Sequence, residues 1–148
     1  WSFAGLIHAA LPGARILHLV RDPMDVCFSN WRAFFGDAYA YSYSLDTLVA
    51  HFNDYRRVMA HWYAVMPGAI LDVPYAELVN EPEATLRRVF AFCGLEWEPG
   101  FADVTRNAEP SATLSAVQVR GSLRRDTSNQ WRRYAAQFEP LLRILCLT

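Results

Sequence analysis

The segment Leu17-His-Leu-Val-Arg-Asp-Pro-Met-Asp-Val-Cys-Phe-Ser29 holds the residue types and spacing of an anion grip. An apolar run ends in Arg21, Asp-Pro opens a helix at once, and Ser29 follows Arg21 by eight positions, about two turns into that helix. Open α/β sheets present ligands at the carboxyl ends of their strands, and Arg21 sits at such an end. Seven helical residues rise about 10 Å, a gap that an arginine side chain partly spans. Arg21 and Ser29 are therefore candidates to hold one anion along the helix flank. The same residues admit a second reading, in which Arg21 pairs with Asp25 or Asp22 and Ser29 faces solvent. The pattern alone leaves both open.

Composition narrows the partners. The chain has 148 residues, 53% hydrophobic and 20% charged, enough for one domain with a core. The formal net charge is -1, which excludes a nucleic-acid binder held by bulk charge. Lysine is absent, so all 14 basic residues are arginines, and any anion site must use forked guanidinium contacts. Cys27, Cys93 and Cys146 are odd in number and widely spaced, which points to neither a disulfide framework nor a zinc site. A reducing cytoplasm is the expectation. No histidine has metal-ligand spacing to a cysteine or acid, so no metal is expected. No apolar run reaches the roughly 20 residues of a membrane span. The chain begins at Trp1 rather than at a methionine, which allows a true N-terminus elsewhere.

The elements that must position these residues read as follows. Ser2 to Ala10 is a short helix with Phe3, Leu6, Ile7 and Ala10 on one face, ended by Pro12-Gly13. Arg15 to Val20 is a buried strand. Asp22 is the cap and Pro23 the first residue of a helix expected to run to about Phe35, with Asp25 in its first turn and Cys27, Trp31, Phe34 and Phe35 on its apolar side. Gly36 to Ser44 is a tyrosine-rich loop. Leu45 to Met66 carries the strongest helical stripe, and Ala69 to Val73 is a second strand. Asn80-Glu-Pro-Glu83 resembles a capping box before a helix that Gly94 stops. Glu98 to Gln130 lacks periodicity, and Trp131 to about Leu147 reads as one or two closing helices around Pro140. Strands alternating with helices argue for an α/β layer architecture. Two strands are too few for a parallel sheet of ordinary width, so at least one is expected to be missing.

Val20-Arg-Asp-Pro23 followed by Ser29 resembles the 3′-phosphate-binding segment of sulfotransferases that use 3′-phosphoadenylyl sulfate (PAPS). The lead-in Gly5 to Arg15 is similar to the family's preceding helix and turn. Asp72-Val-Pro-Tyr-Ala-Glu-Leu-Val79 resembles a family segment that places the equivalent of Tyr75 near the nucleotide. Tyr75 reads equally as a half-buried core residue. Glu81-Pro-Glu and Phe92-Cys-Gly-Leu-Glu-Trp97 resemble the next helix and its ending. Ser115 to Arg120 and Trp131-Arg-Arg-Tyr134 resemble the closing loop of the bacterial and protein-tyrosine branch, which covers the nucleotide. The resemblance implies a catalytic-site role for Ser115 and nucleotide contacts from Arg124 and Arg125, seven and six residues before Trp131; by residue type alone Ser115 also reads as a turn residue, and Arg124 and Arg125 as a solvated basic loop. Arg120 is a further candidate contact or a salt-bridge partner. The chain departs from the family at Ser122, usually proline, at Asn129, often glycine or another small residue, and at Gln130, commonly basic.

By this resemblance, residues 1–148 form the C-terminal part of a single sulfotransferase domain. The expected fold is P-loop-like, an incomplete parallel sheet flanked by helices, with the N-terminal strand and phosphate loop missing. The co-substrate is PAPS, its product PAP, and no metal is implied. The 5′-phosphosulfate loop and the usual base lie upstream of the Arg21 position, and only 20 residues precede Arg21 here. The fragment alone is thus expected to catalyse little. The acceptor stays open among protein tyrosine, a glycan, a lipid and a small alcohol, with Tyr39 to Tyr43 a candidate contact. Two other readings stand beside this one: a different P-loop phosphotransferase, for which no Walker-type loop or magnesium ligand is seen, and a non-catalytic relative acting as a helical interaction module.

Overall fold

The computed structural model describes residues 1–33, 35–103 and 129–145. They fall into two compact units. One comprises residues 1–16, 21–70 and 129–145, the other residues 17–20 and 71–103.

The first unit opens with helix α1 (Ala4–Ala10). Ala4 is buried, and an added Cβ on Gly5 would lie 2.5 Å from ring carbons of Trp62, so the absent side chain lets the helix approach that ring. Trp62 Nε1 donates to the Trp1 carbonyl at 3.1 Å. The apolar stripe faces outward: Phe3, Leu6 and Ile7 are 70%, 68% and 46% exposed.

Helix α2 (Pro23–Arg32) begins as expected, with the Asp22 carboxylate accepting the Asp25 N–H at 3.0 Å and Pro23 at the first helical position. It stops at Arg32 because Ala33 is extended (φ -78, ψ 135). Its buried side is Met24, Cys27 and Phe28, while Trp31 is 39% exposed. Phe35 sits edge-on to Tyr39 at 5.0 Å. Phe34 lies outside the described residues. Gly36–Tyr43, expected as a loop, forms two short 3-10 pieces separated by a kink at Tyr39 (φ -136, ψ 64). Helix α3 (Leu45–Val65) buries Leu48, Val49, Phe52 and Met59. Leu48, Val49 and Phe52 pack with Met24, Cys27 and Phe28 and with Phe138, Leu141 and Leu145 from the downstream segment. Burying each such large side chain is worth about 1.5–3 kcal/mol.

Strands β1 (Ile16–Val20) and β2 (Ile70–Pro74) are parallel neighbours. Their first residues belong to the first unit, where Ile16 N–H donates to the Ala69 carbonyl at 2.9 Å, and the rest to the second. Strand β1 is not fully buried: Leu17 and Leu19 are 46% and 56% exposed on one face. His18, on the opposite face, meets Asp72 of β2 with Nδ1 2.7 Å from Oδ1.

In the second unit, helix α4 (Tyr75–Asn80) follows β2 directly and was not anticipated. Asn80 ends it rather than capping the next helix. The cap of α5 (Pro82–Cys93) is Glu81, without a side-chain bond. Pro82 explains the shift, because it biases the residue before it away from helical geometry. Gly94 takes φ 70 at the end of α5, as expected of a left-handed stop. Arg88 of α5 pairs with Glu77 of α4 at 2.8 Å, and Phe90 packs on Trp97 and Phe101.

Candidate functional site

Arg21 leaves the carboxyl end of β1 and stands immediately before the Asp22 cap of α2. Its guanidinium Nη2 lies 3.9 Å from Asp25 Oδ2, and its side chain keeps 26% exposure. Ser29 is exposed on α2, six residues beyond Pro23 and so about 9 Å along the axis. The structure thus brings Arg21 and Ser29 onto the start and the flank of one helix. The long Arg21–Asp25 pair is the one that the alternative sequence reading named, and the side chain stays partly exposed beside it.

In the sequence Asp25 reads as a favourable first-turn acid and a possible partner of Arg21, but not as a buried group. It is in fact 4% exposed, the one buried carboxylate among the described residues. Its Oδ1 accepts the backbone N–H of Asn129 at 2.7 Å. Asn129 adopts φ 65, a left-handed conformation that asparagine tolerates better than most residues. The short 3-10 helix Gln130–Tyr134 starts there, and helix α6 (Glu139–Leu145) follows. Gln130 accepts from Arg32 Nη1 at 3.0 Å, so an arginine of α2 stands beside the position where the resembling family commonly has a basic residue. That guanidinium also lies over Phe28 at 5.5 Å. The Asn129 and Arg32 contacts join residues about a hundred positions apart, and no local pattern announces them.

Tyr75 opens α4 in the second unit and is half-buried, which is compatible with either sequence reading. Ser115, Arg120, Ser122, Arg124 and Arg125 lie outside the described residues, as does Cys146. No group of three or more metal-ligating side chains occurs among the described residues. No helix of the described residues is long and apolar enough to cross a membrane.

In the tyrosine-rich segment, Tyr41 stacks on His51 at 3.7 Å, while Tyr39 and Tyr43 are 48% and 49% exposed. Burial, and then the neighbouring Tyr39, raises the Tyr41 phenol above its ordinary value. Cys27 is fully buried in the core, and burial, followed by the charge of Asp22, pushes its thiol up to about 12. It is a packing residue and no nucleophile at neutral pH.

Comparison with known proteins bears on the same residues. An uncharacterized protein of Aquifex aeolicus (strain VF5) is 32% identical over 148 residues, an alignment covering 98% of this chain and 19% of the relative. The chain therefore spans about a fifth of the length of the curated relative it matches. The model of the sulfotransferase family matches residues 1–99, a stretch that holds β1, α2, β2 and α5 with Arg21, Ser29 and Tyr75. The chain belongs to the sulfotransferase family.

Proposed function

We propose that residues 1–148 are the C-terminal part of a PAPS-dependent sulfotransferase domain of the bacterial, protein-tyrosine-like branch. The observation that carries this is Arg21 at the carboxyl end of β1, directly before the capped start of α2, with Ser29 exposed on the flank of that helix. A guanidinium, a hydroxyl and the positive end of a helix suit a phosphate. Arg21 and Ser29 hold the donor's 3′-phosphate. Tyr75 borders the nucleotide, and Arg124 and Arg125 close over it. Ser115 lies near the transferred group.

In the reaction, the acceptor hydroxyl oxygen forms a bond to sulfur as the bond from sulfur to the phosphate oxygen breaks. PAP leaves, and a base takes the acceptor proton. Like phosphoryl transfer, this chemistry depends on alignment and on cations near the leaving group. The 5′-phosphosulfate loop and the base come from polypeptide outside this chain. The exposure of Leu17 and Leu19 on a two-stranded sheet, and of Phe3, Leu6 and Leu11 on and beside α1, supports a larger domain that covers them. Tyr39 and Tyr43 are the proposed acceptor contacts.

Titration with 3′,5′-ADP and 5′-AMP tests the site. The chain should prefer 3′,5′-ADP, and Arg21→Ala should erase that preference, a loss of roughly 10- to 100-fold for a charged hydrogen-bonding partner. Equal affinity for both nucleotides, unaltered by Arg21→Ala, refutes the assignment.

A further inference from the structure

A buried carboxylate is costly unless charge and hydrogen bonds compensate it. Asp25 has three such compensations, all within the first unit. It stands in the first turn of α2, Arg21 approaches it at 3.9 Å, and the Asn129 N–H donates to it at 2.7 Å. The contact to Arg21 is long and the contact to Asn129 is short, so the stronger demand on this carboxylate comes from the downstream segment.

That geometry has an electrostatic consequence. An acid beside Arg21 opposes a bound anion, and its removal, on charge alone, should tighten anion binding. A residue that weakens the grip by its charge must contribute through position if it serves the site at all. We propose that Asp25 is a positioning residue: through the Asn129 backbone it fastens the closing segment to the end of α2 at which Arg21 meets the 3′-phosphate. This rests on the nucleotide reading given above. In it, one carboxylate sets both the orientation of the guanidinium and the register of Asn129 to Tyr134.

The test uses the full chain with Asp25→Ala and Asp25→Asn. Amide hydrogen exchange reads the closing segment, and titration with 3′,5′-ADP and 5′-AMP reads the site. Asp25→Ala should speed exchange at Asn129 to Tyr134 at least about tenfold and weaken 3′,5′-ADP at least about fivefold, with 5′-AMP unchanged. Asp25→Asn keeps an oxygen that accepts from Asn129. It should restore protection and bring 3′,5′-ADP within about threefold of the parent. Tighter 3′,5′-ADP binding by Asp25→Ala overturns the proposal, as does an Asp25→Asn variant as unprotected as Asp25→Ala. Discrimination by Asp25→Ala equal to that of the parent overturns it while the nucleotide reading stands. A parent chain that does not distinguish the two nucleotides sinks the nucleotide reading itself, and the proposal with it. If Asp25→Ala fails to fold, Asp25→Asn carries both measurements.

Discussion

At the scale of single residues, Cys27 gives a sharp pH prediction. Its folded thiol titrates at about 12 against an ordinary 9.0, so between those values the folded chain keeps a proton that the unfolded chain has lost. Stability from this group is full below pH 9 and declines as pH rises toward 12. Urea unfolding between pH 8 and 10 should show that decline in the parent chain and a shallower one in Cys27→Ala. The variant should also be weaker by about 1 kcal/mol at pH 8, for the lost packing. At pH 8 iodoacetamide should leave native Cys27 unmodified. Residue roles were legible in the sequence where they are local. The Asp22 cap and the Gly94 stop each depend on residues within four positions, and both formed as read. The partner of Asp25 is 104 positions away and that of His18 is 54 positions away, so neither pair leaves a spacing to recognise.

At the scale of elements, α2 depends on its first turn. Asp22→Ala removes the acceptor of the Asp25 N–H and should cost about 1 kcal/mol in chemical unfolding. It should also raise hydrogen exchange at Asn129, because Asp25 is then held less firmly. Helix periodicity located α3 and α5 within about one residue, since long stripes average out exceptions. It overran α2 because Phe35 continues the spacing yet packs on Tyr39 instead of the core. It missed α4, whose six residues are too few to show a period. The apolar face of α1 was read as a face, and the structure leaves it exposed, because small Ala4 and Gly5, against Trp62, are what bring that helix onto the unit.

At the scale of the whole molecule, the division of labour proposed above predicts little sulfuryl transfer from PAPS to a phenolic acceptor by this chain alone. Joining it to upstream polypeptide that carries a phosphate loop should restore turnover and reduce binding of a hydrophobic dye to the exposed apolar residues. Robust turnover by the chain alone would end that division. The family was legible because Arg21, the Asp-Pro helix start and Ser29 fall within nine consecutive residues. The core of the first unit was not, because it is drawn from distant stretches. Phe138 and Leu141 have no exposed surface, yet with Leu145 they seal a cluster otherwise built from Met24 to Phe52. Phe138 is made 86 residues after Phe52. At about 5–20 residues per second, translation leaves that cluster open for roughly 4–17 s. During that interval Cys27, Phe28 and Leu48 are available to a chaperone or to a neighbouring nascent chain, and the seal closes only once the ribosome has passed Leu145.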